Sequence, residues 1–229
     1  MTLIRLRQRL VEGRLRRALL PCLAAEGLLV LGLGALVWHA HSPDRIDRAV
    51  AARLYAKPGS ALRPVATAVT FFGSPLVVAV GAVLVATSVW WRYRDTFLAL
   101  FCPTAVTVAA LIEQLLKSTV SRARPPTARF AHEVDFSYPS GHTTASVALA
   151  LSAILLVWAG RHGRGRWFKL VVLALYGFVV GLSRLVLGVH YLTDVVGGAL
   201  LAAGTVLAVG WACSRDAIEL DDAVAHPHG

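Results

Sequence analysis

Apolar residues fill six long blocks along the chain, and most of the arginines stand in the short polar segments between them. The blocks run from about Ala18 to Trp38, Val65 to Trp91, Phe97 to Leu116, Thr143 to Ala159, Leu170 to Leu187 and Tyr191 to Cys213. A helix needs about 20 such residues to cross the hydrocarbon core of a bilayer. The second block is too long for one straight span, and Gly73-Ser74-Pro75 interrupts it where proline breaks or kinks a helix, so its membrane part is predicted to begin near Pro75. The pattern therefore predicts an all-α, polytopic membrane protein with six transmembrane helices in a bundle. Residues 1–17 read as a basic tail, 18–213 as the membrane domain and 214–229 as a polar, disordered tail. The basic tail followed by an apolar block has the order of a signal peptide. Its apolar part exceeds the usual length of about 7 to 15 residues and no small-residue cleavage site follows Trp38, so it reads as an anchor.

Composition strengthens this picture: 56% of the residues are hydrophobic and only 16% charged, against roughly a quarter charged in soluble domains. The net charge of +10 would suit nucleic acid, but the arginines lie between apolar blocks, where membrane topology accounts for them. The bias of Lys and Arg toward cytoplasmic loops puts the N-terminal tail, Arg92, Arg94, Arg161, Arg164, Arg166, Lys169 and the C-terminal tail inside. Both termini are then cytoplasmic in a multi-pass cell-membrane protein. The loop carrying Arg45, Arg48, Arg53, Lys57 and Arg63 falls outside, against the bias. Within it Ile46, Val50 and Leu54 recur every four residues, which fits an interfacial helix, while the surrounding charges fit a solvated linker. Cys22, Cys102 and Cys213 each sit inside an apolar block with no redox or metal-ligand spacing.

Three polar clusters interrupt the second half of the chain: Lys117 with Arg124-Pro125, Pro139-Ser140-Gly141-His142, and Ser183-Arg184 with His190 and Asp194. The same topology brings all three to one outer membrane surface. Lys117, Arg124 and Arg184 supply three cations, and guanidinium groups match phosphate oxygens in pairs. Ser140 and Gly141 precede a span, whose N-terminal N–H groups also favour an anion. His190 and Asp194, four residues apart, share one helix face. A carboxylate holding one imidazole nitrogen fixes the tautomer and leaves the other nitrogen free to attack phosphorus, and His142 is then available to protonate the leaving oxygen.

Together these residues match the signature of the type 2 phosphatidate phosphatase family, which shares its fold and site with vanadium haloperoxidases. Its motifs K-x6-R-P, P-S-G-H and S-R-x5-H-x3-D stand intact as Lys117 to Pro125, Pro139 to His142 and Ser183 to Asp194. Phe72-Gly73-Ser74-Pro75 also looks like family sequence. The resemblance implies a membrane lipid-phosphate phosphatase with His190 as nucleophile, Asp194 as its partner and His142 as the acid. Lys117, Arg124, Ser140, Gly141 and Arg184 form the implied phosphate-binding set, and no metal or other cofactor is implied. Phosphatidate, lysophosphatidate, phosphatidylglycerol phosphate and polyprenyl diphosphate all fit, because the motifs read only the phosphate. Alanine- and arginine-rich usage suits a GC-rich bacterial gene and hence recycling of a cell-wall polyprenyl carrier. A lipid-phosphate carrier without hydrolysis leaves the two histidines unexplained, and a vanadate-dependent haloperoxidase leaves the spans unexplained. Glu113, four residues before Lys117, reads as its ion-pair partner within the helix. Glu26 in the first block faces the bundle or is protonated, and His39 and His41 read as interfacial.

Overall fold

A computed structural model describes residues 27, 28, 32, 34, 35, 37, 43–127, 135–159 and 165–225, those after 213 as backbone only. The helices are α1 (Arg45–Leu54), α2 (Leu62–Phe71), α3 (Pro75–Tyr93), α4 (Thr96–Val120), α5 (Gly141–Ala159), α6 (Arg166–Val186) and α7 (Leu192–Ala225). Among the described residues five helices, rather than the expected six, are long and apolar enough to cross a bilayer: α3, α4, α5, α6 and α7 as far as Cys213. Most of the first predicted span lies outside the described residues, as do Glu26, His39 and His41.

Local chemistry explains the boundaries. Ser74 precedes Pro75, whose fixed φ suits the first turn of α3. Arg94 closes α3 at φ 54°, and the Asp95 carboxylate accepts the N–H of Leu98 (2.9 Å) to cap α4. Two residues therefore reverse the chain between two spans. In the 45–63 loop the sequence left helix and linker open, and α1 resolves the choice with Asp44 as its N-cap. On its apolar face Ile46 is 61% exposed, and the residue of α1 that is buried is Asp47. At the other end, the backbone of α7 runs on to Ala225. The stretch holds Ala217, Glu219, Leu220 and Ala223, all compatible with a helix, and no proline before Pro227.

The core lies around α5, which packs against α3, α4, α6 and α7. Small buried residues such as Ala82, Cys102, Ala105, Ala109, Ala148 and Ala202 let the helix axes approach closely. Large apolar residues point outward instead, among them Leu84, Trp91, Leu111, Leu115 and Phe178. A surface this apolar is suited to acyl chains rather than water. At one end of the bundle a second apolar cluster of Ala56, Ala66, Val186, Leu187 and Val189 fastens the α1–α2 segment over α6.

Candidate active site

Each of the three polar clusters sits where a span ends or begins. Ser121 adopts φ 49° and gives its N–H to the Lys117 carbonyl (2.9 Å), which stops α4 one turn beyond Lys117 and releases the chain into the Arg122–Pro125 segment. The end of α6 is closed by Gly188 at φ +67°, a left-handed conformation that costs glycine least, with the Val189 N–H on the Arg184 carbonyl (3.2 Å). This tight reversal carries the chain from Arg184, in the last turn of α6, to His190 in six residues. Ser140, fully buried, donates its N–H to the Asp194 carbonyl (3.0 Å), so the second cluster is tied to the third before α5 begins. The Phe72-Gly73-Ser74-Pro75 break lies beside them. A Cβ on Gly73 would stand 2.4 Å from Val180 and 3.5 Å from the His142 ring, so only glycine lets this turn close against α6 and α5 at that level. Tyr176 fastens the turn by donating its hydroxyl to the Phe72 carbonyl (2.8 Å).

Two of the three cations, Arg124 and Arg184, act on His190. Arg124 donates from Nη1 to His190 Nε2 (3.0 Å) and to the Val189 carbonyl (3.0 Å). A guanidinium has only donors, so Nε2 must be the accepting, unprotonated nitrogen. The proton then sits on Nδ1, which faces Asp194 Oδ2 at 3.5 Å. Burial pushes the His190 imidazole down to about 4, with Arg184 and Arg124 acting in the same direction against Asp194. At neutral pH the ring is uncharged, with its Nε2 lone pair among cations. Arg184 is buried and held by Thr70 of α2, whose hydroxyl accepts from Nη1 (2.9 Å). Lys117 is buried too, 2.9 Å from Glu113 within α4, the ion pair that the four-residue spacing predicts. Gly141 starts α5 against that same Glu113. A lone pair, three cations and a second histidine at the mouth of α5 are the parts needed to take a phosphoryl group from an oxygen.

Residues 98–218 match the PAP2 superfamily. The chain is 32% identical over 183 residues to phosphatidylglycerophosphatase B of Bacillus subtilis, an alignment covering 75% of this chain and 84% of that protein. The chain belongs to the PAP2 superfamily. Undecaprenyl-diphosphatase BcrC of B. subtilis is 32% identical over a shorter stretch, 31% of this chain and 32% of that protein. The crystal structure of a transmembrane PAP2-type phosphatidylglycerolphosphate phosphatase from B. subtilis superposes with a TM-score of 0.70 at 25% identity, covering 82% of this chain and 93% of that one.

In this PAP2 protein the candidate site extends beyond the three motifs. Asp135, from the segment before Pro139, bridges two of the cations: Oδ2 accepts from Lys117 and Oδ1 from Arg124. Burial raises its carboxyl, but the hydrogen bonds from Lys117 and Arg124 outweigh this and hold it at about 2. Arg122, inside the first motif at a position the signature leaves free, turns away from Arg124 and binds Asp194 and Asp47. Only its place two residues before Arg124 hinted at a role. Asp47 carried no such hint, because an acid three residues after an N-cap aspartate reads as helix capping. Thr70 likewise reads as an ordinary residue of an apolar helix.

Proposed function

We propose that this protein is a membrane lipid phosphatase that cleaves a terminal phosphate from a lipid through a phosphohistidine on His190. The observation that carries the reading is the Arg124 hydrogen bond to His190 Nε2, which leaves the nucleophilic nitrogen unprotonated and next to a phosphate-binding group. The similarity to phosphatidylglycerophosphatase B and to undecaprenyl-diphosphatase supports a lipid phosphate or diphosphate as substrate. In the proposed reaction Lys117, Arg124, Arg184 and the backbone at Ser140 and Gly141 bind the phosphate oxygens. His190 Nε2 attacks phosphorus in line, the P–O bond to the lipid breaks, and His142 gives its proton to the departing oxygen. Water then attacks the phosphohistidine, and His142, now a base, takes the proton. Asp194 fixes the tautomer and balances the charge His190 gains on becoming phosphorylated.

The site lies at the membrane end where α4 and α6 finish and α5 and α7 start. Arg92 and Arg94 at the other end of α3, with Arg166 and Lys169 at the start of α6, favour a cytoplasmic position for the opposite end. We therefore place the termini inside and the site on the extracytoplasmic face, within reach of lipids of the outer leaflet.

The test is phosphate release by purified protein in EDTA, with phosphatidate, phosphatidylglycerol phosphate and a polyprenyl diphosphate side by side. Release from at least one lipid is expected, and the preferred lipid identifies the pathway class. No release from any, by folded protein that still binds the lipids, would favour the carrier reading.

Asp135 adds a second measurable consequence. Its carboxylate occupies the space between Lys117 and Arg124 that a phosphate oxygen must enter. In Asp135→Asn the cations keep a polar neighbour and lose a competing charge, so inhibition by orthovanadate, a phosphate mimic, should tighten by about tenfold. Unchanged or weaker inhibition would show that Asp135 mainly holds the two cations in place.

A further inference from the structure

Asp47 lies on the surface helix α1, far from the motifs in sequence, yet its side chain is 1% exposed. Oδ1 accepts the N–H of Thr193 (3.0 Å), and Oδ2 accepts the Thr193 hydroxyl (2.7 Å) and Arg122 Nη2 (2.7 Å). The other arm of the guanidinium, Nη1, donates to Asp194 Oδ1 and to the Thr193 hydroxyl (2.7 Å). Arg122 also lies over the Tyr191 ring, 4.5 Å from its centre. Burial works against the Arg122 charge, and Asp194 and Asp47 more than offset it. The remaining oxygen of Asp194 accepts the Tyr191 N–H (2.8 Å) and faces His190 Nδ1. Both oxygens of Asp194 are thus committed, one of them to an arginine whose own orientation is set by Asp47.

We propose that Asp47 and Arg122 are positioning residues for phosphoryl transfer, with α1 locking Arg122 and Arg122 locking Asp194 in the orientation that sets the His190 tautomer. The proposal rests on the reading of His190 as nucleophile. A clamp serving only to fasten α1 would need no more than the Asp47–Thr193 bonds. Burying three charged side chains in one chain of contacts is a poor source of stability compared with apolar packing. What such an arrangement does well is fix the direction of the last carboxylate, as the outer partners of a metal-ligating histidine do.

The experiment is steady-state kinetics of Asp47→Asn, Arg122→Lys, Asp194→Asn and the double variant Asp47→Asn/Asp194→Asn, on the lipid the wild type prefers. Asp47→Asn is expected to lower kcat by about tenfold to a hundredfold, with KM and orthovanadate inhibition within about threefold of wild type. Arg122→Lys should lose at least as much, because lysine cannot bridge two carboxylates with a planar fork. In the Asp194→Asn background, adding Asp47→Asn should cost less than about threefold more, since no catalytic carboxylate remains to be oriented. If Asp47→Asn does not fold, the near-isosteric Thr193→Val removes only the shared hydroxyl and should lower kcat by about threefold to tenfold with KM retained. A kcat for the folded single variants within about twofold of wild type, or an Asp47→Asn loss carried undiminished into the Asp194→Asn background, would overturn the proposal. An inactive wild type would overturn the phosphatase reading and this inference with it, whereas an active wild type with an unimpaired Asp47→Asn overturns this inference alone.

Discussion

His190→Ala should abolish turnover, lowering lipid phosphate release by about 10⁴-fold or more, as removal of a nucleophile from a concerted set does. Alanine removes the nitrogen that accepts from Arg124 and leaves Arg124 and Arg184 in place. Binding of phosphate should therefore survive while the covalent step does not. Brief reaction with phosphate-labelled lipid should leave acid-labile, base-stable label on the wild type and none on the variant. The pH dependence offers a second signature. Burial lowers the His190 imidazole to about 4, so the ring is neutral through the neutral range and becomes protonated, and unable to attack, only as pH falls through that value. The acid limb of kcat/KM should accordingly lie well below the usual histidine range of about 6.5. Residual activity of His190→Ala should lack that limb. Wild-type labelling of the variant, or turnover within about tenfold of wild type, would require another nucleophile.

Much of this site is legible in the sequence because its chemistry demands particular residue types at span ends. Lys117 and Glu113 are paired as their spacing predicts, whereas His190 meets Asp194 at 3.5 Å from the connection before α7 and not from the shared helix face that its spacing predicted. The Gly73 turn can be recognised as a break, and only its approach to Val180 and the His142 ring shows what the break permits. Span positions follow from apolar run length, yet run length says nothing about which face of a span meets lipid. Small residues such as Ala105 and Ala109 mark the buried side, whereas Leu111 and Leu115 on the same helix face outward. The α1 helix is legible only in part. Its apolar period marks Ile46, Val50 and Leu54 as an interfacial face and gives no sign that Asp47 is buried, a carboxylate with partners 75 and 146 residues away in the chain. Local periodicity carries no information about a polar group satisfied by a distant one. Asp135 and Thr70 escaped for the same reason, since each acquires meaning only from a cation brought to it by the fold.

His142→Ala should separate the proposed acid from the proposed nucleophile by its dependence on the leaving group. A lipid alkoxide departs poorly without a proton, so loss of the acid should lower kcat/KM for phosphatidate by about a hundredfold to 10⁴-fold. An aryl phosphate such as 4-nitrophenyl phosphate expels an oxygen that is stable as an anion, and its loss should stay within about tenfold. His142 enters the site from α5, half-buried against the Gly73 turn, while His190 comes from the α6–α7 connection with different neighbours. Removing the His142 ring leaves the His190 contacts to Arg124 and Asp194 in place. His142→Ala should still form phosphoenzyme from the aryl phosphate, and slow hydrolysis should let label accumulate, because the attacking water also loses its base. Equal losses for both leaving groups, together with no label from either, would give His142 a part in binding rather than proton transfer. A leaving-group-dependent loss in His142→Ala together with a leaving-group-independent loss of the covalent label in His190→Ala is the pattern expected of two histidines acting on opposite sides of the phosphorus.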